Sequence, residues 1–186
     1  MAFVMKNQSK VVKSNAPVEK VDPLMDFYYI DEADNEETTV DLNSALRELL
    51  ANNFSVYLRA HGYHWNVKGI HFAAYHEFFG EIYEDLYSAI DPTAEWLRKL
   101  GYDAPYTMEE FLVDRNIKDA SKQVALSMMI QSLLQAIEAL EESTEHCLEI
   151  ATAEDEQGLI NFLSERIGML EKWEWQLNTS VNEGFI

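Results

Sequence analysis

Four of the five histidines, His61, His64, His71 and His76, fall in one short stretch. Asp91 follows His76 by fifteen residues, and Glu95 follows Asp91 by four. Imidazole mixed with carboxylate suits iron, manganese or zinc. Asp91 and Glu95 share a face of any regular helix. Each side chain alone has an ordinary role. His64 and His76 serve as hydrogen-bonded core histidines, Asp91 as an N-cap with Pro92 at the first helical position, and Glu95 as a solvated charge. Their joint spacing is what points to metal. Fifteen residues rise roughly 22 Å on a helix, too far for His76 and Asp91 to meet at one ion. Two copies of that helix packed antiparallel about a two-fold, with the axis near Glu84 and Asp85, set the histidines of one chain against the carboxylates of the other. The spacing therefore predicts a site shared between subunits.

The elements that must position these residues are helical. From Thr39 the apolar residues Leu42, Leu46, Leu49, Leu50, Val56, Tyr57 and Ala60 recur at three and four. Thr38 or Thr39 is the expected cap, with Asp41 in the first turn. The stripe runs into His64 and stops near Gly69. A second helix reads from about His71 to Leu100, through Phe72, Tyr75, Phe79, Ile82, Leu86, Ile90, Ala94 and Leu97, with Gly101 closing it. Pro92 interrupts it, and an internal proline kinks or restarts a helix. A connection over 101–120 carries a short helical pattern, Met108 to Val113. A third long helix is expected from about Ser121 to Ala151 and a fourth from about Asp155 to Val181. No strand pattern competes. The expected architecture is all-α: four long helices in a bundle over residues 39–182, with a short extra helix between the second and third.

Residues 1–38 read as an N-terminal arm and 183–186 as a short tail. Lys6, Lys10, Lys13 and Lys20 give the first 22 residues a local positive charge, offering either phosphate contact or solubility. Residues 23–38 invert the sign, and Phe27-Tyr28-Tyr29-Ile30 within them is expected to dock on the body or on a neighbouring subunit. The formal net charge is −19, and an acidic surface repels nucleic acid and attracts cations. DNA contact, if made, is thus expected to be weak and confined to the N-terminal lysines. Cys147 is the sole cysteine, so no disulfide framework exists and a small apolar role on a helix is expected. No stretch is long and apolar enough to span a membrane, and no apolar leader precedes the body. Cytoplasm is the expected compartment.

The run HWNVKGIHFAAYHEFF, followed at fixed distance by Asp91-Pro92-Thr93-Ala94-Glu95, resembles the Dps proteins. These are the ferritin-like miniferritins named for DNA protection during starvation, and the resemblance covers roughly residues 40–180. It implies a hollow homo-oligomer of twelve subunits that oxidises Fe(II) at two-fold interfaces, with hydrogen peroxide or dioxygen, and stores ferric mineral. By that resemblance His64, His76, Asp91 and Glu95 are the ferroxidase ligands. Trp65 matches a tryptophan beside the site, packing on the ligands, moving electrons, or simply filling the core, which is its expected role. The family usually has an acidic residue four after the second histidine, where this chain has Gly80. The second iron position is then weak, completed by water, or served by Glu84. Acidic residues of Thr152–Gln157, Glu154 and Asp155 among them, correspond to family pores through which iron passes; a charged helix cap is their ordinary role. The alternative is a DNA-associating or structural particle whose site is mononuclear, or holds zinc without turnover.

Overall fold

Residues 41–120 and 125–182 are described by the structure, a computed structural model. The tail lysines, the acidic segment 23–38 with its aromatic patch, and residues 183–186 lie outside them. Among the described residues there are five helices: α1 Leu42–Asn66, α2 Phe72–Lys99, α3 Met108–Asp114, α4 Leu126–Ala153 and α5 Gln157–Asn182. Among the described residues there is no strand. The arrangement is a ferritin-like four-helix bundle, with α3 as the extra short helix between its second and third long members.

The expected stripes form the core. Leu46, Leu50, Val56, Ile82, Leu86, Ile130, Leu133, Ile137, Leu140, Leu159 and Leu163 are buried. Full burial of each such side chain stabilises the fold by about 1.5–3 kcal/mol. Phe72, placed by its spacing on the buried face, is instead exposed, because it opens α2 beyond the rim of the bundle. Helix α1 packs on α2, α4 and α3, while α4 packs on α5. Helices α1 and α4 run antiparallel: Asn52 pairs with Ser143, while Arg59 and Tyr63, further along α1, reach back to Ser132.

The helix ends depart from expectation. Asp41, not Thr38 or Thr39, caps α1; its carboxylate accepts from the Ser44 amide at 2.8 Å. An aspartate satisfies an orphan amide as well as threonine does, and here it stands beside the apolar run itself. Helix α2 passes through Pro92 without restarting. The proline removes one donor to the Ser88 carbonyl, and Ser88 is exposed, so water can take up that carbonyl. Asp91 therefore lies inside a helix and is no N-cap. Helix α4 extends two residues past Ala151, and α5 begins at Gln157 rather than Asp155. Buried Asn52 fixes the long connection: its Oδ1 accepts from the amides of Asn116 and Ile117 at 3.0 and 3.1 Å.

Candidate metal centre

The turn between α1 and α2 makes the site. Val67 ends α1, and Gly69 adopts φ +107°, a left-handed conformation glycine tolerates without strain. The chain reverses, and one turn into α2 His76 returns beside His64. Their rings stack with centroids 3.7 Å apart and planes 22° from parallel. His64 Nδ1 donates to the His76 carbonyl at 2.6 Å, and His76 Nδ1 donates to the His64 carbonyl at 2.8 Å. A carbonyl can only accept, so both Nδ1 atoms carry a proton, and in the neutral rings both Nε2 atoms keep a lone pair. The backbone does here what outer-shell partners do for metal-bound histidines: it sets tautomer and ring orientation. The His64 carbonyl lies in the last turn of α1, where intrahelical donors have run out. His76 thus closes a helix end with one ring nitrogen and leaves the other for a ligand.

Gly80 lies directly behind His64. A Cβ there would stand 3.4 Å from His64 Nδ1 and 3.6 Å from Cε1. That is ordinary contact distance, so position 80 touches the ring and could hold a side chain. As glycine it contributes no ligand and costs about 1 kcal/mol against alanine inside a helix.

Trp65 is not a core residue: it is 60% exposed and packs on the His61 ring at 4.1 Å. Residue 65 follows His64 by one, about 100° round the helix, and so points off the buried stripe. His61 lies face to face on Tyr83 at 4.0 Å, and its Nδ1 meets the Tyr57 hydroxyl at 3.1 Å. Burial, then the neighbouring His64, lowers the His61 pKa below the usual imidazole value. The sequence places His61 in the histidine cluster without indicating its partner. The Tyr57–His61 spacing of four was the available signal.

Asp91 and Glu95 stand on the exposed side of α2, with Glu84 two turns earlier. Glu95 pairs with Lys99 at 3.5 Å, one turn on. Because α2 is continuous from His76 to Asp91, the roughly 22 Å separation holds. Among the described residues of one chain, no three His, Cys, Asp or Glu side chains converge as a metal site. Asp85 is committed elsewhere. Arg166 of α5 grips it with two hydrogen bonds of 2.9 Å, and the Trp173 indole adds a third at 2.9 Å. Burial raises its pKa, but the Arg166 hydrogen bonds and charge outweigh that and leave it below the usual carboxylate value. No sequence spacing joined residues 85 and 166, so this pair was missed.

Glu154 and Asp155 lie at the end of the bundle opposite the histidine pair, since α4 runs antiparallel to α1. Glu154 caps the C-terminus of α4, and both residues are exposed. Asp155 also stands just before the N-terminus of α5, where it accepts from the Gln157 amide and the Gln157 side chain, each at 3.0 Å. Asp155 has φ +59°. The Glu156 amide bonds to Ala151 O at 3.0 Å and the Asp155 amide to Thr152 O at 3.2 Å. This is a Schellman turn with aspartate where glycine is usual. Cys147 is buried, and burial pushes its thiol up to about 12, so it stays an unreactive core residue. No helix among the described residues is long and apolar enough to cross a membrane.

A family model described as a ferritin-like domain matches residues 43–184. A solved structure of a Dps protein from Vibrio cholerae O1 superposes with a TM-score of 0.73 at 31% identity, covering 76% of this chain and 89% of that one. The Dps protein from Bacillus brevis gives a TM-score of 0.73 at 26% identity, covering 76% and 95%. An uncharacterised Haemophilus influenzae protein is 30% identical over 142 residues, 76% of this chain and 89% of its own. The DNA protection during starvation protein of Helicobacter pylori is 27% identical over 137 residues, 73% and 95%. With its five-helix body and its paired histidines at the α1–α2 turn, the chain belongs to the ferritin-like family, as one of its Dps proteins.

Proposed function

We propose that this chain is the subunit of an iron-storing, DNA-protecting Dps shell that oxidises Fe(II) at sites shared between two-fold-related subunits. The observation that carries the reading is the exchanged hydrogen bonding of His64 and His76, which leaves two adjacent Nε2 lone pairs. One chain supplies these, and the Asp91 and Glu95 carboxylates of its two-fold mate complete the site, with Glu84 near the axis as a further donor. Leu58, Trp65, Ile70, Phe72 and Tyr87 support a covering subunit, since all are exposed large apolar residues on the α1–α2 hairpin. Fe(II) is the substrate and loses one electron per ion to hydrogen peroxide or dioxygen; peroxide is the oxidant we favour. Removing iron and peroxide together protects DNA. A dodecamer in the cytoplasm is the assembly we infer.

The test is Fe(II) oxidation by hydrogen peroxide in the assembled protein and in a His64→Ala, His76→Ala double variant. Loss of the rapid phase in the variant is expected. Equal rates would sink the ferroxidase reading.

Gly80 favours a second reading. With no ligand at that position the site holds one iron, or zinc without turnover, and the particle acts by association with DNA through Lys6, Lys10, Lys13 and Lys20. The net charge of −19 opposes this. Anomalous scattering at the two-fold identifies and counts the metals, and a gel shift with and without residues 1–22 measures DNA contact.

A further inference from the structure

The seam between the first turns of α2 and the last turns of α5 holds an open groove of about 400 Å³. Ala74, Tyr75 and Phe78 form one wall, and Trp175, Thr179 and Ser180 the other. Trp175 stands there 66% exposed. The two hydroxyls of the α5 wall are already committed. Thr179 Oγ1 donates to the Trp175 carbonyl and Ser180 Oγ to the Gln176 carbonyl, each at 2.9 Å. The groove therefore asks its occupant for apolar surface rather than for hydrogen bonds. It lies on the face of α2 turned away from His76. Ala74 and Phe78 are each two positions from that histidine, about 200° round the helix. Metal binding does not use this face.

The sequence after α5 supplies a matching segment. Helix α5 runs to Asn182, and Glu183-Gly184-Phe185-Ile186 follow. Gly184 falls where a left-handed glycine ends an α-helix, with Glu183 as the half-helical residue between. In such a turn the next side chain returns over the third-last and fourth-last residues of the helix. In α5 those are Ser180 and Thr179, two residues of the groove wall. Three residues beyond Asn182 reach at most roughly 10 Å, and the groove begins within that distance. So short a tether keeps Phe185 at high effective concentration over its own groove, which favours it over the same residue of another copy.

We propose that this groove seats Phe185 and Ile186 of the same chain, which close the α2–α5 seam and steady the turns of α2 that carry His76. Phe78 already meets Trp173 of α5 across the seam, with ring centroids 6.4 Å apart. Phe185 extends that contact outward and covers the exposed indole of Trp175. The first turns of α2 are then clamped from behind, on the face opposite the histidine. The docking holds whether or not the site oxidises iron.

The test uses full-length, metal-free protein carrying Ala74→Cys with Ile186→Cys, mildly oxidised with oxidised glutathione. Ala74 is exposed, so the change leaves the core alone, and Cys147 is buried and takes no part. A disulfide within one chain is expected, found by mapping unreduced peptides. Adding Phe185→Asp should slow its formation. A rate unchanged by Phe185→Asp would overturn the proposal. So would covalent dimers, which would assign the groove to a neighbouring subunit. Hydrogen exchange gives a second measurement, on chains without added cysteines. In Phe185→Asp the amides of residues 74–82 and 175–181 should exchange faster than in wild type, while those of α3 and α4 keep their rates. Equal exchange at 74–82 would contradict the steadying of α2. Size-exclusion chromatography confirms that variant and wild type assemble alike. Because no iron is present, the outcome is independent of ferroxidase activity.

Discussion

His64 and His76 each donate from Nδ1 to the backbone carbonyl of the other, at 2.6 and 2.8 Å. The fold itself therefore orients both imidazole rings. Binding energy need not be spent on choosing a tautomer or freezing rotamers, which is the structural content of preorganisation.

The position behind this pair, Gly80, touches the His64 ring and offers no ligand. Gly80→Asp sets a Cβ at ordinary contact distance from His64 and adds a carboxylate. We expect the variant to assemble normally and to take up a second divalent metal per site in anaerobic titration calorimetry. An unchanged stoichiometry would mean that Gly80 is not what limits the site.

Asp85 holds α2 to α5 through Arg166, and both side chains are 13% exposed. Asp85→Asn leaves the guanidinium uncompensated in a largely buried setting, so a loss of about 3 kcal/mol is expected. The folded pKa of Asp85 lies below its unfolded value. The pair's contribution is therefore complete above the unfolded pKa of about 3.9 and is lost as pH falls through the lower folded value. Denaturation curves for wild type and Asp85→Asn should differ at neutral pH and converge in acid below that range. A pH-independent gap would contradict the assignment.

The bundle was legible because its stripes are long and regular: Leu46, Leu50, Leu133 and Leu163 fall where a period of 3.6 puts them. The histidine pair was legible from a short turn between two such helices. What escaped was set by neighbours in space or by ends. Trp65 sits one step off the buried stripe, and apolarity alone suggested a core place. A proline at 92 predicts a kink or restart, and α2 runs through it without restarting, with Leu86 and Leu97 packed on either side. The grip of Arg166 on Asp85 spans 81 positions of sequence, and no local pattern announces it.

The acidic turn between α4 and α5 keeps Asp155 at φ +59°, where glycine would be less strained. If Glu154 and Asp155 draw iron inward through the shell we propose, removing their charge slows uptake without changing the turn. A Glu154→Gln, Asp155→Asn variant should take up Fe(II) more slowly than wild type while assembling identically by light scattering. Unchanged uptake would assign the turn to helix termination alone.

A metal site built from two chains can be divided between two variants. Subunits carrying His64→Ala with His76→Ala are co-assembled with subunits carrying Asp91→Ala with Glu95→Ala, and Fe(II) oxidation by peroxide is measured against each parent shell. Both parents should be inactive. In mixed shells every interface between unlike subunits regains one intact site, so random pairing in equal amounts should restore roughly a quarter of wild-type activity. Mixed shells as inactive as their parents would contradict a shared site.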